Sequence, residues 1–142
     1  MSDIARSAAL QLAVNTISYE IPDEHIELYA DPLLVKVFYN LFDNARQHGD
    51  AVTRISISHR RSETGLIITI ADNGSGISLR DKQHIFERGF GKNTGLGLFF
   101  SKEILSITGM SIGETGSPGE GARFEIAVPE EAFRFAEKQA PL

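Results

Sequence analysis

The stretch that decides the fold is Leu66-Ile-Ile-Thr-Ile-Ala-Asp72-Asn-Gly-Ser-Gly76, an alternating segment that runs into a glycine-rich turn. Because side chains alternate between the two faces of a strand, the apolar residues Leu66, Ile68 and Ile70 share a face with the aspartate. A carboxylate on an apolar face needs a hydrogen-bonding partner, since burying it unpaired is costly. The stretch therefore predicts a strand that ends with Asp72 presented to a ligand. An ordinary Asp-Asn-Gly turn is the alternative interpretation.

Alternating apolar residues on either side of this stretch predict further strands. Residues 54–59 alternate in the same way, and Ser62-Glu-Thr-Gly65 has the composition of a turn between the two strands. Two short β-prone segments precede them, and we expect these two to pair with each other as a hairpin. The predicted strands are residues 16–21, 26–30, 54–59, 66–72, 110–115 and 122–128.

Helical periodicity predicts helices between the strands. The clearest helix begins at Asp31-Pro32, where aspartate suits the N-cap and proline the first turn, and it stops near Gly49. The other predicted helices are residues 3–14, 78–87 and 96–108, with a final helix or tail at 129–138. Since the strands come in adjacent pairs with helices between the pairs, the pattern predicts a two-layer α/β (α+β) sandwich around a mixed, mostly antiparallel sheet.

Composition limits the class of protein. The chain has 142 residues, 42% of them hydrophobic and 23% charged, which suits one globular domain. A net charge of -5 with scattered basic residues gives no support for a nucleic-acid partner. Cysteine is absent, which excludes disulfides and cysteine-ligated zinc. No apolar run approaches the ~20 residues of a membrane span, so we expect a cytoplasmic location and no direct membrane contact by this segment, even where a full-length protein is anchored.

A second motif lies on the helix that begins at Asp31. Asn40, Asn44 and His48 are spaced by four residues, so they follow one stripe of that helix. A neutral amide oxygen can bind Mg²⁺ beside phosphate oxygens without adding negative charge. Taken alone, the asparagines are better explained as polar residues that cap or solvate an amphipathic helix.

A third motif is Thr94-Gly-Leu-Gly97-Leu98, at the start of a predicted helix. Backbone N–H groups at such a position can hold phosphate, and Lys92 adds a positive charge just upstream. The motif is neither a Walker A loop nor a dinucleotide-binding fingerprint, and by itself it fits a flexible loop end. In this order, the three motifs predict a nucleotide pocket in which Asp72 accepts a hydrogen bond from the exocyclic amine of adenine.

The motifs resemble those of the ATP-binding catalytic domain of two-component sensor histidine kinases, in the GHKL superfamily. Asn40-Leu-Phe-Asp-Asn44-Ala is similar to that family's N box, and Asp72-Asn-Gly-Ser-Gly76-Ile77 to its G1 box. Ile85-Phe-Glu-Arg resembles the F box, and Thr94-Gly-Leu-Gly-Leu98 the G2 box. The resemblance covers about residues 16–130 and implies a Bergerat-type fold, with helices over one face of the sheet.

The resemblance also implies a role for each matching residue. Asn44 would bind Mg²⁺ at the phosphates of ATP, Asn40 would support the metal or the phosphates, and Lys92 would complete the catalytic group. Asp72 would accept from the adenine amino group. The other implied ATP-binding residues are His48, Gly74, Gly76, Ile77, Lys92, Thr94, Gly95, Leu96, Gly97 and Leu98.

Residue 40 separates the activities within the superfamily. The ATPases and serine kinases have glutamate four residues before the metal-binding asparagine, where it acts as a general base. Asn40 cannot take up a proton, whereas neutral imidazole is already a nucleophile. The sequence therefore favours transfer of the γ-phosphoryl group of ATP to a histidine. Two alternatives remain. One is a nucleotide-binding module without transfer activity, which is suggested by a short lid, since only Gly91-Lys-Asn-Thr lies between Phe90 and Gly95. The other is a GHKL ATPase.

The accepting histidine is expected on another domain. None of the four histidines is followed by the acidic, basic and Thr/Ser-Pro residues that accompany the family's acceptor. The resemblance implies two partners, a histidine-bearing dimerisation domain, normally in the same full-length protein, and a response regulator downstream. We expect residues 1–15 to form the connection to the acceptor domain, residues 16–130 the catalytic domain, and residues 131–142 a C-terminal helix or tail.

Overall fold

The computed structural model describes residues 1–12, 18–22, 26–48, 52–90 and 97–135. The helices in these ranges are α1 (Ser2–Leu12), α2 (Leu34–His48), α3 (Leu79–Lys82) and α4 (Gly97–Ser106). The strands are β1 (Ser18–Glu20), β2 (Ile26–Leu28), β3 (Arg54–Ser62), β4 (Gly65–Asp72), β5 (Ser111–Glu114), β6 (Arg123–Pro129) and β7 (Phe133–Phe135), and a 3₁₀ turn (Glu130–Ala132) precedes the last of them.

A five-stranded sheet forms the frame of the fold. Its strand order is β1-β3-β4-β6-β5, with β1 parallel to β3 and every other neighbouring pair antiparallel. β4 is the middle strand of the five, and Asp72 is its last residue. The predicted mixed, mostly antiparallel sheet is confirmed.

One face of this sheet is apolar and packs against the helices. α2 buries Val37, Phe38, Leu41 and Phe42 in the same core, and it also packs against α1 and α4. The other face exposes polar side chains such as Arg54, as expected for a sheet covered on one side only. The buried side chains of the sheet are Ile55, Ile57, Leu66, Ile68, Ile70, Phe124, Ile126 and Val128. The predicted two-layer sandwich is therefore confirmed.

The helix that carries the asparagines begins slightly later than predicted. The Asp31 side chain accepts a hydrogen bond from Leu33 N at 2.8 Å, and its carbonyl accepts from Leu34 N at 2.9 Å. Asp31 thus organises the turn that leads into α2. The helix predicted at residues 78–87 is shorter: Ser78 caps it, α3 ends at Lys82, and turns follow.

Two predictions about secondary structure are wrong. β1 and β2 do not form a hairpin, because β1 pairs with β3 and β2 pairs antiparallel with β7. The C-terminal segment predicted as a helix or tail contains the 3₁₀ turn and β7. Three-residue strands carry too little pattern to specify a partner, so long-range packing decides their pairing. Among the helices that the structure describes, none is both long enough and apolar enough to cross a membrane.

Candidate functional site

Asp72 lies at the end of β4 with its carboxylate held by the backbone. Its Oδ1 accepts from Gly74 N at 2.9 Å and from Ala122 N at 3.2 Å. In the described part of the chain no donor contacts Oδ2. One oxygen is therefore fixed by the protein, and the other is an acceptor in a set direction.

The environment of Asp72 changes its acidity. Burial raises the pKa of the Asp72 carboxyl above its ordinary value of 3.8, and the negative charge of Glu114 adds to the rise. The N–H groups of Gly74 and Ala122 act in the opposite direction, because they stabilise the carboxylate. A carboxyl group perturbed by burial and by a specific charge is typical of binding and catalytic sites.

Two turns pack backbone against backbone beside this carboxylate. Gly76 has φ +78°, and a Cβ atom there would lie 2.9 Å from the Gly121 carbonyl oxygen. Gly121 has φ +93°, and its Cβ would lie 2.0 Å from the carbonyl oxygen of Asp72. Gly119 N also donates to Ser75 O at 2.7 Å. The sequence predicted Gly74 and Gly76 as site residues but missed Gly121, although the glycine-rich stretch 116–121 was a visible signal.

A buried ion pair holds the second of these turns. The Glu114 side chain is 2% exposed, and its Oε1 lies 2.8 Å from Lys82 Nζ. Backbone N–H groups of Gly116 and Arg123 donate to the same carboxylate at 3.1 and 2.9 Å. Lys82 Nζ donates as well to the Gly116 carbonyl. Sequence reasoning missed this pair, since nothing in the spacing of Lys82 and Glu114 predicts that they meet.

Asn73 fixes the first turn to the beginning of β3. Its Oδ1 accepts from Thr53 N at 2.9 Å and from Arg54 N at 3.0 Å, and its Nδ2 donates to Thr53 Oγ1 at 2.9 Å. The turn after β4 is therefore tied to the start of β3 on one side, in addition to its contacts with the loop at residues 115–122 on the other. The sequence motif contained Asn73, but its role in holding the turn was not predicted.

Asn40 joins α2 to the start of α4. Its Nδ2 donates to Gly97 O at 3.2 Å and to Ser101 Oγ at 3.3 Å. Ser101 is fully buried, and its hydroxyl donates to the same Gly97 carbonyl at 2.8 Å. Because a carbonyl oxygen only accepts, the amide nitrogen must face Gly97, and Oδ1 must point the other way. The structure thus brings together two predicted residues, Asn40 and Gly97, and adds Ser101, which the sequence did not reveal.

Asn44 lies one helical turn beyond Asn40. It is half-buried, and within the described ranges its amide makes no hydrogen bond. Ile77 and Leu98 are partly buried against the core. The described residues contain no group of three or more His, Cys, Asp or Glu side chains placed to hold a metal ion. A cation at Asn44 would therefore depend on amide oxygens together with oxygens of a bound phosphate, a donor set that suits Mg²⁺.

Several predicted residues cannot be placed. Lys92, Thr94, Gly95 and Leu96 lie outside the described residues, and so does the side chain of His48, although its backbone ends α2. The described site therefore consists of two clusters. The first contains Asn40, Asn44, Gly97 and Ser101; the second contains Asp72, its glycine turns, and the Lys82–Glu114 pair.

The sequence is similar to that of sensor proteins. It is 36% identical over 131 residues to the alginate biosynthesis sensor protein KinB of Pseudomonas aeruginosa, covering 88% of this chain and 21% of KinB. It is 32% identical over 124 residues to the sensor-like histidine kinase SenX3 of Mycolicibacterium smegmatis, covering 81% of this chain and 32% of SenX3. The chain thus spans less than a third of the length of either relative.

Solved structures and a family profile agree with this similarity. The ATP binding domain of PrrB from Mycobacterium tuberculosis has a TM-score of 0.73 and 28% identity, covering 91% of this chain and 93% of that one. The mycobacterial sensor histidine kinase MprB has a TM-score of 0.77 over the same shares at 20% identity, which supports the Bergerat-type fold. The profile described as "Histidine kinase-, DNA gyrase B-, and HSP90-like ATPase" matches residues 30–132. That match spans both clusters and most of the chain, and the chain therefore belongs to this family of ATPase-like domains.

Proposed function

We propose that this domain binds Mg-ATP and transfers the γ-phosphoryl group to a histidine on a separate dimerisation and phosphoacceptor domain. The observation that carries the proposal is the Asp72 carboxylate, with Oδ1 held by two backbone N–H groups and Oδ2 left as an acceptor. Such an acceptor suits the exocyclic amine of adenine. Gly74, Gly76 and Ile77 would form the walls around the base.

The first cluster suits the phosphate end of the nucleotide. Asn44 would hold Mg²⁺, and Asn40 would present its Oδ1 beside it, because its Nδ2 is engaged by Gly97 and Ser101. Mg²⁺, when bound there, would neutralise charge on the phosphates. Gly97 begins a ten-residue helix, and the first N–H groups of a helix suit phosphate oxygens. On sequence grounds, we assign further residues to the same end of the nucleotide: His48, Lys92, Thr94, Gly95, Leu96 and Leu98.

Asn40 supports transfer over hydrolysis. A water molecule or a serine hydroxyl must lose a proton as it attacks phosphorus, so an enzyme that uses either one benefits from a general base. An amide cannot serve as that base, and in this structure the amide nitrogen of Asn40 is already donating to α4. A neutral imidazole attacks without such help, so positioning and charge neutralisation suffice.

The proposal requires partners outside this domain. The receiving histidine would lie on a dimerisation domain, and a response regulator would take the phosphoryl group onward, on the cytoplasmic side of any membrane that anchors the full-length protein. The proposed connection, residues 1–15, would leave through α1, which packs against α2 and buries Ala5 and Ala8. Residues 16–130 would be the catalytic domain, and residues 131–142 its C-terminal part.

Mixing the domain with its dimerisation domain and γ-labelled ATP tests the proposal. We expect acid-labile phosphohistidine on the dimerisation domain, and none when Asn44→Ala replaces the wild-type chain. ATP binding without any labelled histidine would support the alternative, a binding module that does not transfer. Rapid release of phosphate by the isolated domain would support an ATPase instead.

A further inference from the structure

The buried Lys82–Glu114 pair is absent from every role assigned above. The two side chains are 19% and 2% exposed, in contrast to Arg60–Glu125 on the outer face of the sheet, at 58% and 20%. Exposed pairs contribute little to stability or geometry. A carboxylate as buried as Glu114 must be matched by charge and hydrogen bonds, and removal of one partner leaves the other uncompensated.

The pair connects three segments around one carboxylate. Lys82 belongs to α3, which follows the turn after Asp72, and Glu114 is the last residue of β5. Through Gly116 N and Arg123 N, Glu114 holds both ends of the loop at residues 115–122. Lys82 adds a second contact with that loop, at the carbonyl of Gly116.

That loop is in turn the support of Asp72. Ala122 N donates to Asp72 Oδ1, and Ala122 O accepts from Asp72 N at 3.0 Å. Gly119 N donates to Ser75 O in the turn that follows Asp72. A shift of the loop would therefore remove one of the two donors that fix Oδ1, and Oδ2 would lose its set direction.

We propose that Lys82 and Glu114 are positioning residues for base recognition: by fixing the loop at residues 115–122, they aim Asp72 Oδ2 at the exocyclic amine of a 6-aminopurine. The inference rests on the proposed function, since it assumes that Asp72 receives the base. It predicts that loss of the pair lowers the preference for a 6-amino group, rather than nucleotide binding in general.

The electrostatic surroundings of Asp72 provide an independent readout. Among the described residues, the negative charge of Glu114 acts on Asp72, and Lys82 lies against Glu114. Arg54 and Arg123 lie on the neighbouring strands but on the opposite face. Asp72 pairs in register with Ile55, so the adjacent Arg54 faces the other way. Arg123 pairs with Ala71, which is adjacent to Asp72 and also faces the other way. The other charged side chains of α3 are exposed. Removing Lys82 leaves the negative charge of Glu114 unopposed near Asp72. Removing the charge of Glu114 leaves the positive charge of Lys82 unopposed instead.

Titration of the chain with two nucleotides tests the inference. The ligands are ATP and purine riboside triphosphate, in which hydrogen replaces the 6-amino group. We expect Lys82→Met to lower the affinity for ATP about tenfold and that for the analogue by less than about threefold. Lys82→Arg keeps the charge and should restore most of the ATP affinity. Arg60→Met, which removes the exposed pair, should change neither affinity.

The pH profile of the preference for ATP over the analogue separates positioning from a general structural role. Its midpoint should move to higher pH in Lys82→Met and to lower pH in Glu114→Gln. If Lys82→Met does not fold, Glu114→Gln breaks the pair in its place, and Lys82→Arg remains the control that conserves the charge. Equal loss for both nucleotides, or midpoints that do not move, would overturn the inference. A wild-type chain that binds both nucleotides equally would instead contradict the base contact of Asp72, and the inference with it.

Discussion

Binding and stability make opposite demands on Asp72. Its pKa is raised mainly by burial, so the folded chain holds the proton more tightly than the unfolded chain between 3.8 and the raised value. The free energy of unfolding therefore falls as pH rises through that window, and the cost is complete once the pH is above the raised pKa. An ionised carboxylate is nevertheless the stronger acceptor for an amino group. Residues of this kind are where stability is given up for function.

Asp72→Asn should be more stable than the wild-type chain at neutral pH and should bind ATP more weakly. The amide oxygen can still accept from Gly74 N and Ala122 N, while the amide nitrogen no longer accepts from adenine. Thermal melting of both chains from pH 3 to pH 8 measures the effect. The two melting temperatures should converge at the acid end, below 3.8, and separate as pH rises; a constant difference would contradict the assigned pKa shift.

Asn40 makes a second prediction at the residue scale, because its orientation depends on a carbonyl. Asn40→Asp places a carboxylate oxygen 3.2 Å from Gly97 O, where a donor now stands. We expect a loss of about 1–3 kcal/mol of unfolding free energy, since two acceptors then face each other. Denaturant unfolding measures it.

Ser101→Ala is the matched control for Asn40→Asp. It removes the hydroxyl but leaves Asn40 Nδ2 bonded to Gly97 O, so the loss should be smaller, about 1 kcal/mol. Mg-ATP affinity should change little in this control, because Oδ1 of Asn40 keeps its direction. Equal losses in the two variants would mean that the carbonyl of Gly97 does not set the orientation of the amide.

The sequence identified the residues proposed to touch the nucleotide but not those that hold them. Asn40 and Asp72 stand in motifs whose spacing and strand phase can be read along a single segment. Ser101, Lys82 and Glu114 act through contacts between segments far apart in the chain, and no local pattern encodes such contacts. Lys82, for example, has the ordinary appearance of a charged residue on a short surface helix.

At the scale of elements, the loop at residues 115–122 gives a prediction with a built-in control. Gly121 and Gly119 both have positive φ, +93° and +85°. A Cβ at Gly121 would lie 2.0 Å from Asp72 O, whereas a Cβ at Gly119 would meet no atom of the described residues within 4 Å. Alanine at either position adds similar backbone strain, roughly 1–2 kcal/mol. Only at Gly121 does it also separate the loop from β4.

Gly121→Ala should therefore lose clearly more stability than Gly119→Ala, by more than about 2 kcal/mol, and should also weaken ATP binding. Gly119→Ala should leave ATP binding unchanged. Chemical denaturation and nucleotide titration of both variants provide the comparison. If both variants bind ATP as the wild-type chain does, then close packing of the loop on Asp72 is not needed for the pocket.

Strand prediction succeeded where a strand carries its own pattern. β3 and β4 alternate over eight or nine residues, and their pairing through a tight turn follows from the sequence. β1, β2 and β7 have three residues each. β2 finds its partner near the other end of the chain, where Tyr29 N also donates to Ala132 O at 2.7 Å. Pairing of this kind depends on tertiary packing between distant segments. The pattern within a single segment carries no information about it.

At the scale of the whole molecule, the two clusters belong to different layers. The asparagines stand on α2 in the helical layer, and Asp72 ends the central strand of the sheet. A nucleotide that contacts both would therefore bridge the layers and stabilise the domain as a unit. A ligand that binds only the folded state raises the free energy of unfolding. The rise is about 2.7 kcal/mol when the free ligand concentration is one hundred times the dissociation constant.

For a chain of 142 residues, that stabilisation corresponds to a rise of roughly 9 °C in melting temperature. We expect this rise with ATP and Mg²⁺ together, and a smaller one with ATP alone. Mg²⁺ alone should have little effect, because the described residues offer it no cluster of carboxylate or imidazole ligands. Asn44→Ala should lose the increment due to Mg²⁺ while it keeps the rise due to ATP alone. A full Mg²⁺ increment in that variant would place the cation elsewhere, and a rise with Mg²⁺ alone would show a binding site that does not depend on the nucleotide.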